Sequence, residues 1–188
     1  KAAGSAAFQL LMFGGGISIV IAVLGFLFAE NILQLMGASD EVIAIGVPYT
    51  RIIFAGNLAI MLLFLINGAF RGAGQAHLAM RTLWIANGIN IFLDPLLIFG
   101  LGSFEGFGLE GAAWATTTGR SIGVVYQLYH LLNGKHRLVI LKENIKLKWK
   151  TMKRIIEISM GGMGQFLIDS VAWIVLTRII AEFGSASV

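Results

Sequence analysis

The stretch Leu83-Trp-Ile-Ala-Asn-Gly-Ile-Asn-Ile-Phe-Leu-Asp-Pro-Leu-Leu-Ile-Phe-Gly-Leu101 decides the fold. Extended back to Leu78 it is a run of the length that a helix needs to cross a ~30 Å hydrocarbon core, about 20 residues. Its one charge after Arg81 is Asp94. Open strands would leave peptide groups unpaired in lipid, and barrel strands would alternate apolar and polar residues over about ten positions. This run does not alternate, so it reads as a membrane-spanning helix. Four similar runs accompany it, at about 8–28, 42–70, 109–132 and 155–181. The predicted fold is all-α, a polytopic transmembrane helical bundle of about five spans.

Composition agrees. Hydrophobic residues make up 57% of the 188 and charged residues 13%, with a mean hydropathy of +0.82. Soluble domains run nearer 45–50% and about 25%. Twenty-four glycines against two prolines suit helices that approach closely in a membrane. Without cysteine, disulfides, thiolate metal sites and thiol nucleophiles are excluded. The chain opens on Lys1 and stops at Val188 just after an apolar run, so both ends read as cuts through a longer protein. No signal-peptide pattern is visible.

The charges give an orientation. Chain ends and loops read basic at Lys1, acidic at Glu30, Asp40 and Glu41, basic at Arg71 and Arg81, acidic at Glu105 and Glu110. The segment 134–154 then holds eight of the fourteen Lys/Arg: Lys135, Arg137, Lys142, Lys146, Lys148, Lys150, Lys153 and Arg154. Because Lys and Arg gather on the cytoplasmic side, the start of the chain and the 134–154 loop are expected in the cytoplasm, and the C-terminal end outside. The formal charge of +4 is therefore juxtamembrane. No nucleic-acid partner is expected.

Ionisable residues inside spans are costly and mark function by default. On the third run Asn87, Asn90 and Asp94 fall within about 60° of arc. Pro95 removes the N–H that the Ile91 carbonyl would accept. A carboxylate, two amides and a freed carbonyl on one face suit a proton or small cation; the alternative is an interhelical hydrogen-bond cluster. The fourth run offers Thr116 and Arg120, one turn apart. Asp94 and Thr116 each stand eleven residues from Glu105, so a tight turn there brings them to similar depth. The fifth run carries Gln165 and Asp169, again one turn apart. Gly106-Phe-Gly108-Leu-Glu-Gly111 fits GxGxxG, but that fingerprint needs a strand and a soluble βαβ unit, and here it joins two spans. His77, His130 and His136 lack metal-ligand spacing, and no nucleophile triad or phosphate loop is present. No enzyme and no cofactor are expected.

Phe70-Arg-Gly-Ala-Gly-Gln75, Asn90-Ile-Phe-Leu-Asp-Pro-Leu-Leu-Ile-Phe-Gly100 and Gly111-Ala-Ala-Trp-Ala-Thr116 together resemble the MATE family of multidrug and toxin extrusion transporters, in its NorM-like and DinF-like branches. Leu33-Gln-Leu-Met-Gly-Ala38 and Leu176-Thr-Arg-Ile-Ile-Ala-Glu-Phe-Gly184 support this. The resemblance implies part of a two-lobe, twelve-helix transporter, with this chain as its third to seventh spans. Residues 1–134 would belong to the first lobe, 135–154 to a basic cytoplasmic linker, and 155–188 to the second lobe. By resemblance to the DinF-like branch, Asn90, Asp94 and Thr116 would couple protons. By resemblance to the NorM-like branch, Asp169, fifteen residues before Gly184, would be a sodium ligand, though that branch has Glu there.

The expected function is a multi-pass antiporter of the cytoplasmic membrane that exports amphipathic, mostly cationic drugs or toxins against H+ or Na+. Its expected partners are the small-molecule substrate, membrane lipids and the remaining helices of the complete transporter. Asn87, Asn90, Asp94, Thr116, Arg120, Gln165 and Asp169 are the candidate ion-coupling and substrate-binding residues. A lipid-linked oligosaccharide flippase of the same superfamily, for which Arg120 would supply positive charge, and a non-transporting membrane scaffold are the alternatives.

Overall fold

The structure is a computed structural model describing residues 2–102, 104–133, 138–140 and 145–182. In chain order it contains α1 (Ala2–Leu27), α2 (Ala29–Leu35), α3 (Asp40–Ala55), α4 (Asn57–Gly72), α5 (Ala76–Phe99), β1 (Gly100–Leu101), β2 (Phe104–Glu105), α6 (Leu109–Leu132) and α7 (Trp149–Glu182). The chain divides into two compact units, 1–147 and 148–188. The first holds α1 to α6 and the second α7. Residues 134–137, where the predicted linker begins, and 183–188, including Gly184, lie outside the described residues. The second unit's helix begins at Trp149, six residues before the expected start of the second lobe at 155.

Among the described residues two helices are long and apolar enough to cross a membrane, Ala3–Leu27 and Ala76–Phe99. The run expected as one span over 42–70 is a bent pair, α3 and α4, which meet at 45° across Gly56 and together qualify as a third. α6 covers the expected 109–132 residue for residue, and its 24 residues suit a crossing at ~1.5 Å each. It does not meet the same hydropathy criterion as the other three, because Thr116, Thr117, Thr118, Arg120, Ser121 and Gln127 dilute it. Part of that polarity is buried: Gln127 is fully enclosed.

The first four helices form one long antiparallel hairpin, with a break between helices at Phe28 on one arm and a 45° bend at Gly56 on the other. A side chain at Gly14 would collide with Leu65, one at Gly25 with Phe54, and one at Gly46 would press on Leu33. The arms therefore keep one register through both kinks. At the second kink Asn57 Nδ2 donates to the Ser18 carbonyl (3.1 Å) and to Ser18 Oγ (2.9 Å). That ties the break to α1 and satisfies polar groups where the apolar run is interrupted.

The turn between α5 and α6 is fixed by the end of α5. The last carbonyls of a helix have no partner within it. Here Phe107 N–H donates to the Leu97 carbonyl (2.7 Å) and Gly108 N–H to that of Ile98 (3.1 Å). Between them lies a short antiparallel ladder, Gly100 opposite Glu105 and Leu101 opposite Phe104. α6 then runs back along α5 with glycine at the points of closest approach. Gly111 lies against the Leu97 carbonyl, Gly119 against that of Ala86, and Gly123 against Thr82 and Ala86. A Cβ at Gly111 would overlap the Leu97 oxygen.

Two apolar cores result. Ala7, Ile66, Phe70, Leu78, Ala79, Leu131 and Leu138 form one, where the starts of α1 and α5 meet the ends of α4 and α6. Leu63, Ala86 and Val124 form the other, one to two turns away. Leu138 belongs to the segment predicted as linker, yet only 2% of it is exposed. Its N–H donates to Gln75 Oε1 (3.0 Å). Ile140 N–H donates to the Leu131 carbonyl (3.1 Å), and Gln9 Nε2 to that of Lys146 (2.7 Å).

Candidate functional site

α5 carries Asn87, Asn90 and Asp94 through a helix that continues past Pro95 to Phe99. Asn90 Nδ2 donates to Asp94 Oδ1 at 3.2 Å, so amide and carboxylate one turn apart form a pair along the helix. Both are half-buried, and Asn87 is exposed. The carboxylate keeps a second oxygen outside this bond. The geometry is that of an acceptor group oriented by a neighbouring amide and open on one side.

The antiparallel register of α5 and α6 sets depth. With Gly111 opposite Leu97 and Gly119 opposite Ala86 and Asn90, Asp94 falls level with residues 113–115. Thr116 lies within about one turn of it, ~5 Å along the axis. Thr116 is half-buried, and among the described residues no hydrogen bond joins it to Asp94. Ala115, with Gly111 and Gly119 on the same stripe, is enclosed instead. The two helices therefore bring Asp94 and Thr116 to comparable depth without a hydrogen bond between them among the described residues.

Arg120 is half-buried one turn beyond Thr116, and no carboxylate among the described residues pairs with it. Next to Thr116, Thr117 Oγ1 is enclosed without a partner, against the break at Gly56. A Cβ on Gly56 would come within 2.5 Å of Thr117 Cγ2.

In the second unit Gln165 Nε2 donates to Asp169 Oδ1 at 3.2 Å, with both side chains exposed. This repeats the motif of α5, an amide at i holding a carboxylate at i+4. No group of three or more His, Cys, Asp or Glu that could hold a metal exists among the described residues. A cation at either carboxylate would take its other ligands from amides, hydroxyls or backbone carbonyls, as hard monovalent ions do.

Sequence reasoning passed over several polar residues inside the helical runs. Arg51 lies within α3, exposed, with its guanidinium 5.7 Å from the centre of the Phe26 ring, so Arg120 is not alone as a base within the spans. Gln127 Nε2 donates to Asn67 Oδ1 (2.8 Å) and to the Leu63 carbonyl (3.2 Å), joining α6 to α4. The signal was present in each case, as a lone polar residue within an apolar run.

The description of the MatE family matches residues 1–96 of the chain. The chain belongs to this family. It is 27% identical to the probable multidrug resistance protein YoeA of Bacillus subtilis over 90% of its own length and 37% of YoeA. Against the multidrug export protein MepA of Staphylococcus aureus the figures are 24%, 94% and 39%. A FAD transporter of Shewanella oneidensis is 32% identical over 63% of the chain and 26% of that protein. Among solved structures, MATE in the straight conformation superposes with a TM-score of 0.85 at 25% identity, covering 96% of this chain and 40% of that one. The bent conformation gives 0.84 at 23% identity, over 97% and 44%. This MatE chain thus spans under half the length of the relatives it matches, and its fold is that of part of a helical membrane bundle.

Proposed function

We propose that this MatE chain is part of a secondary antiporter that exports amphipathic cations in exchange for protons or sodium ions. The observation that carries the reading is the Asn90–Asp94 pair at 3.2 Å, an oriented carboxylate inside a span, where lone charges are costly and are kept for function. Its depth near Thr116, and the same motif at Gln165–Asp169, give each unit one carboxylate able to bind a cation. YoeA is a probable multidrug resistance protein and MepA a multidrug export protein, which supports export as the role of the family member to which this chain belongs. In the proposed cycle, an ion on Asp94 neutralises the carboxylate and weakens the hold on a cationic substrate. The two lobes then rock to alternate access.

The test is efflux of a fluorescent lipophilic cation by the complete transporter carrying this chain, with sodium and pH gradients varied independently. Asp94→Asn should abolish gradient-dependent export of the dye, and Asp169→Asn should remove dependence on whichever ion it binds. Export by Asp94→Asn that keeps its full gradient dependence would refute the mechanism.

A second reading has its own observation. Arg51 and Arg120 are two bases within helical runs with no carboxylate pairing with them among the described residues, and one relative is a FAD transporter. An anionic cargo would suit them. Export of a flavin nucleotide in preference to the cationic dye, lost on Arg120→Gln, would favour it.

A further inference from the structure

We propose that the first two turns of α7 form a docking face for anionic phospholipid headgroups. Trp149, Lys150, Lys153, Arg154 and Glu157 are all exposed, whereas Thr151, Met152, Ile155 and Ile156 are half-buried or buried. At 100° per residue those five occupy about 140° of one helix face, so exposure follows the helical period. Trp149 is 69% exposed. The face carries three bases, with Lys148 just before it, against one acid, and that acid, Glu157, lies 3.9 Å from Lys153. No acidic residue occupies the first turn of the helix.

Charge complementarity selects the occupant. A protein surface covering this face would have to desolvate several cations at once. A headgroup layer accepts them while they stay hydrated and contact phosphate, each contributing roughly fivefold in binding. An indole at the start of an apolar helix settles at the same level. Beyond Ile156 the helix becomes predominantly apolar, so the face stands where a membrane–water boundary would meet it.

The test uses the complete transporter in nanodiscs, with a solvent-sensitive fluorophore on Lys148→Cys in a background freed of other cysteines. Adding phosphatidylglycerol to phosphatidylcholine discs should shift emission to the blue. Combining Lys150→Gln, Lys153→Gln and Arg154→Gln should weaken the effective affinity on the order of a hundredfold, three contributions of about fivefold each, and so remove the shift. The charge-keeping set Lys150→Arg, Lys153→Arg and Arg154→Lys should retain it. A shift already complete in phosphatidylcholine and indifferent to these charges would mean that protein covers the face, and would overturn the proposal. So would no shift in either lipid, or inorganic phosphate alone reproducing the shift.

Discussion

Gly111→Ala is the substitution for which the structure gives the sharpest expectation. Its new methyl group would overlap the Leu97 carbonyl oxygen, which is backbone and cannot swing aside. That oxygen also accepts the Phe107 N–H at 2.7 Å, so retreat of α6 would strain the turn that joins it to α5. Overpacking typically costs about 1–3 kcal/mol, and loss of the turn's hydrogen bond adds about 1 kcal/mol. Against this stands a gain of up to ~1 kcal/mol for alanine over glycine in a helix, smaller here because Gly111 is in the first turn. The net expectation is a loss of about 1–3 kcal/mol. Gly15→Ala is the matched control. Gly15 is buried in the middle of α1, but its Cβ would meet only Leu58 Cδ1 at 3.9 Å, an ordinary contact, so it should be neutral or stabilising. Denaturant unfolding of the purified transporter in mild detergent, with far-ultraviolet circular dichroism as the readout, compares the two. If Gly111→Ala is as stable as Gly15→Ala, the close approach of α5 and α6 is not as described.

Gln127→Leu should lower stability by about 1–3 kcal/mol in the same assay, because the Leu63 carbonyl and the enclosed Asn67 Oδ1 lose their donor. Leu138→Ala should cost about 2–5 kcal/mol, since this residue of the supposed linker sits inside a core; a value near zero would return the segment to the surface. Asn57→Ala should release the tie to Ser18 at the Gly56 break. Faster hydrogen exchange confined to the amides around residues 52–60 is the expected result.

The fold was legible where one physical requirement dominates. Backbone groups in lipid must pair within their own segment, so length and apolarity located α1, α5 and α6 to within a few residues at most ends. The break at Gly56 was not legible, because the apolar run resumes over 58–66 directly after Gly56-Asn57 and hydropathy carries no information about direction. Its cause is packing: Thr117 needs the space that a side chain at 56 would fill, and Asn57 finds its partner 39 residues away, on α1. The burial of Leu138 was not legible for a similar reason. Eight bases in 134–154 mark the segment as basic and cytoplasmic and say nothing of one leucine among them that joins a core with residues of α1, α4, α5 and α6.

The candidate site residues were chosen by residue type alone, and the fold adds which of them have partners. Lipid penalises every polar group inside a span alike, so sequence alone ranks Asn57, Asn67 and Gln127 beside Asn87 and Asp94. The fold separates them. Ser18 with Asn57, and Asn67 with Gln127, bond each other across helix pairs within α1 to α6 and lie buried or half-buried there, although Gln127 Oε1 is enclosed with no hydrogen-bond partner among the described residues. Asn87, Asp94, Arg51 and Arg120 lie on half-buried or exposed faces, and among the described residues only Asp94 of these four has a polar partner, a single amide on its own helix. A charge in a span is stable only with partners, so under the proposed function Asp94 and Arg120 would draw further ones from other helices, an ion or cargo, while Arg51 already lies against the Phe26 ring. Polar residues that close on one another tie α1 to α6 together, and under the proposed function those left open are where an ion or cargo would bind.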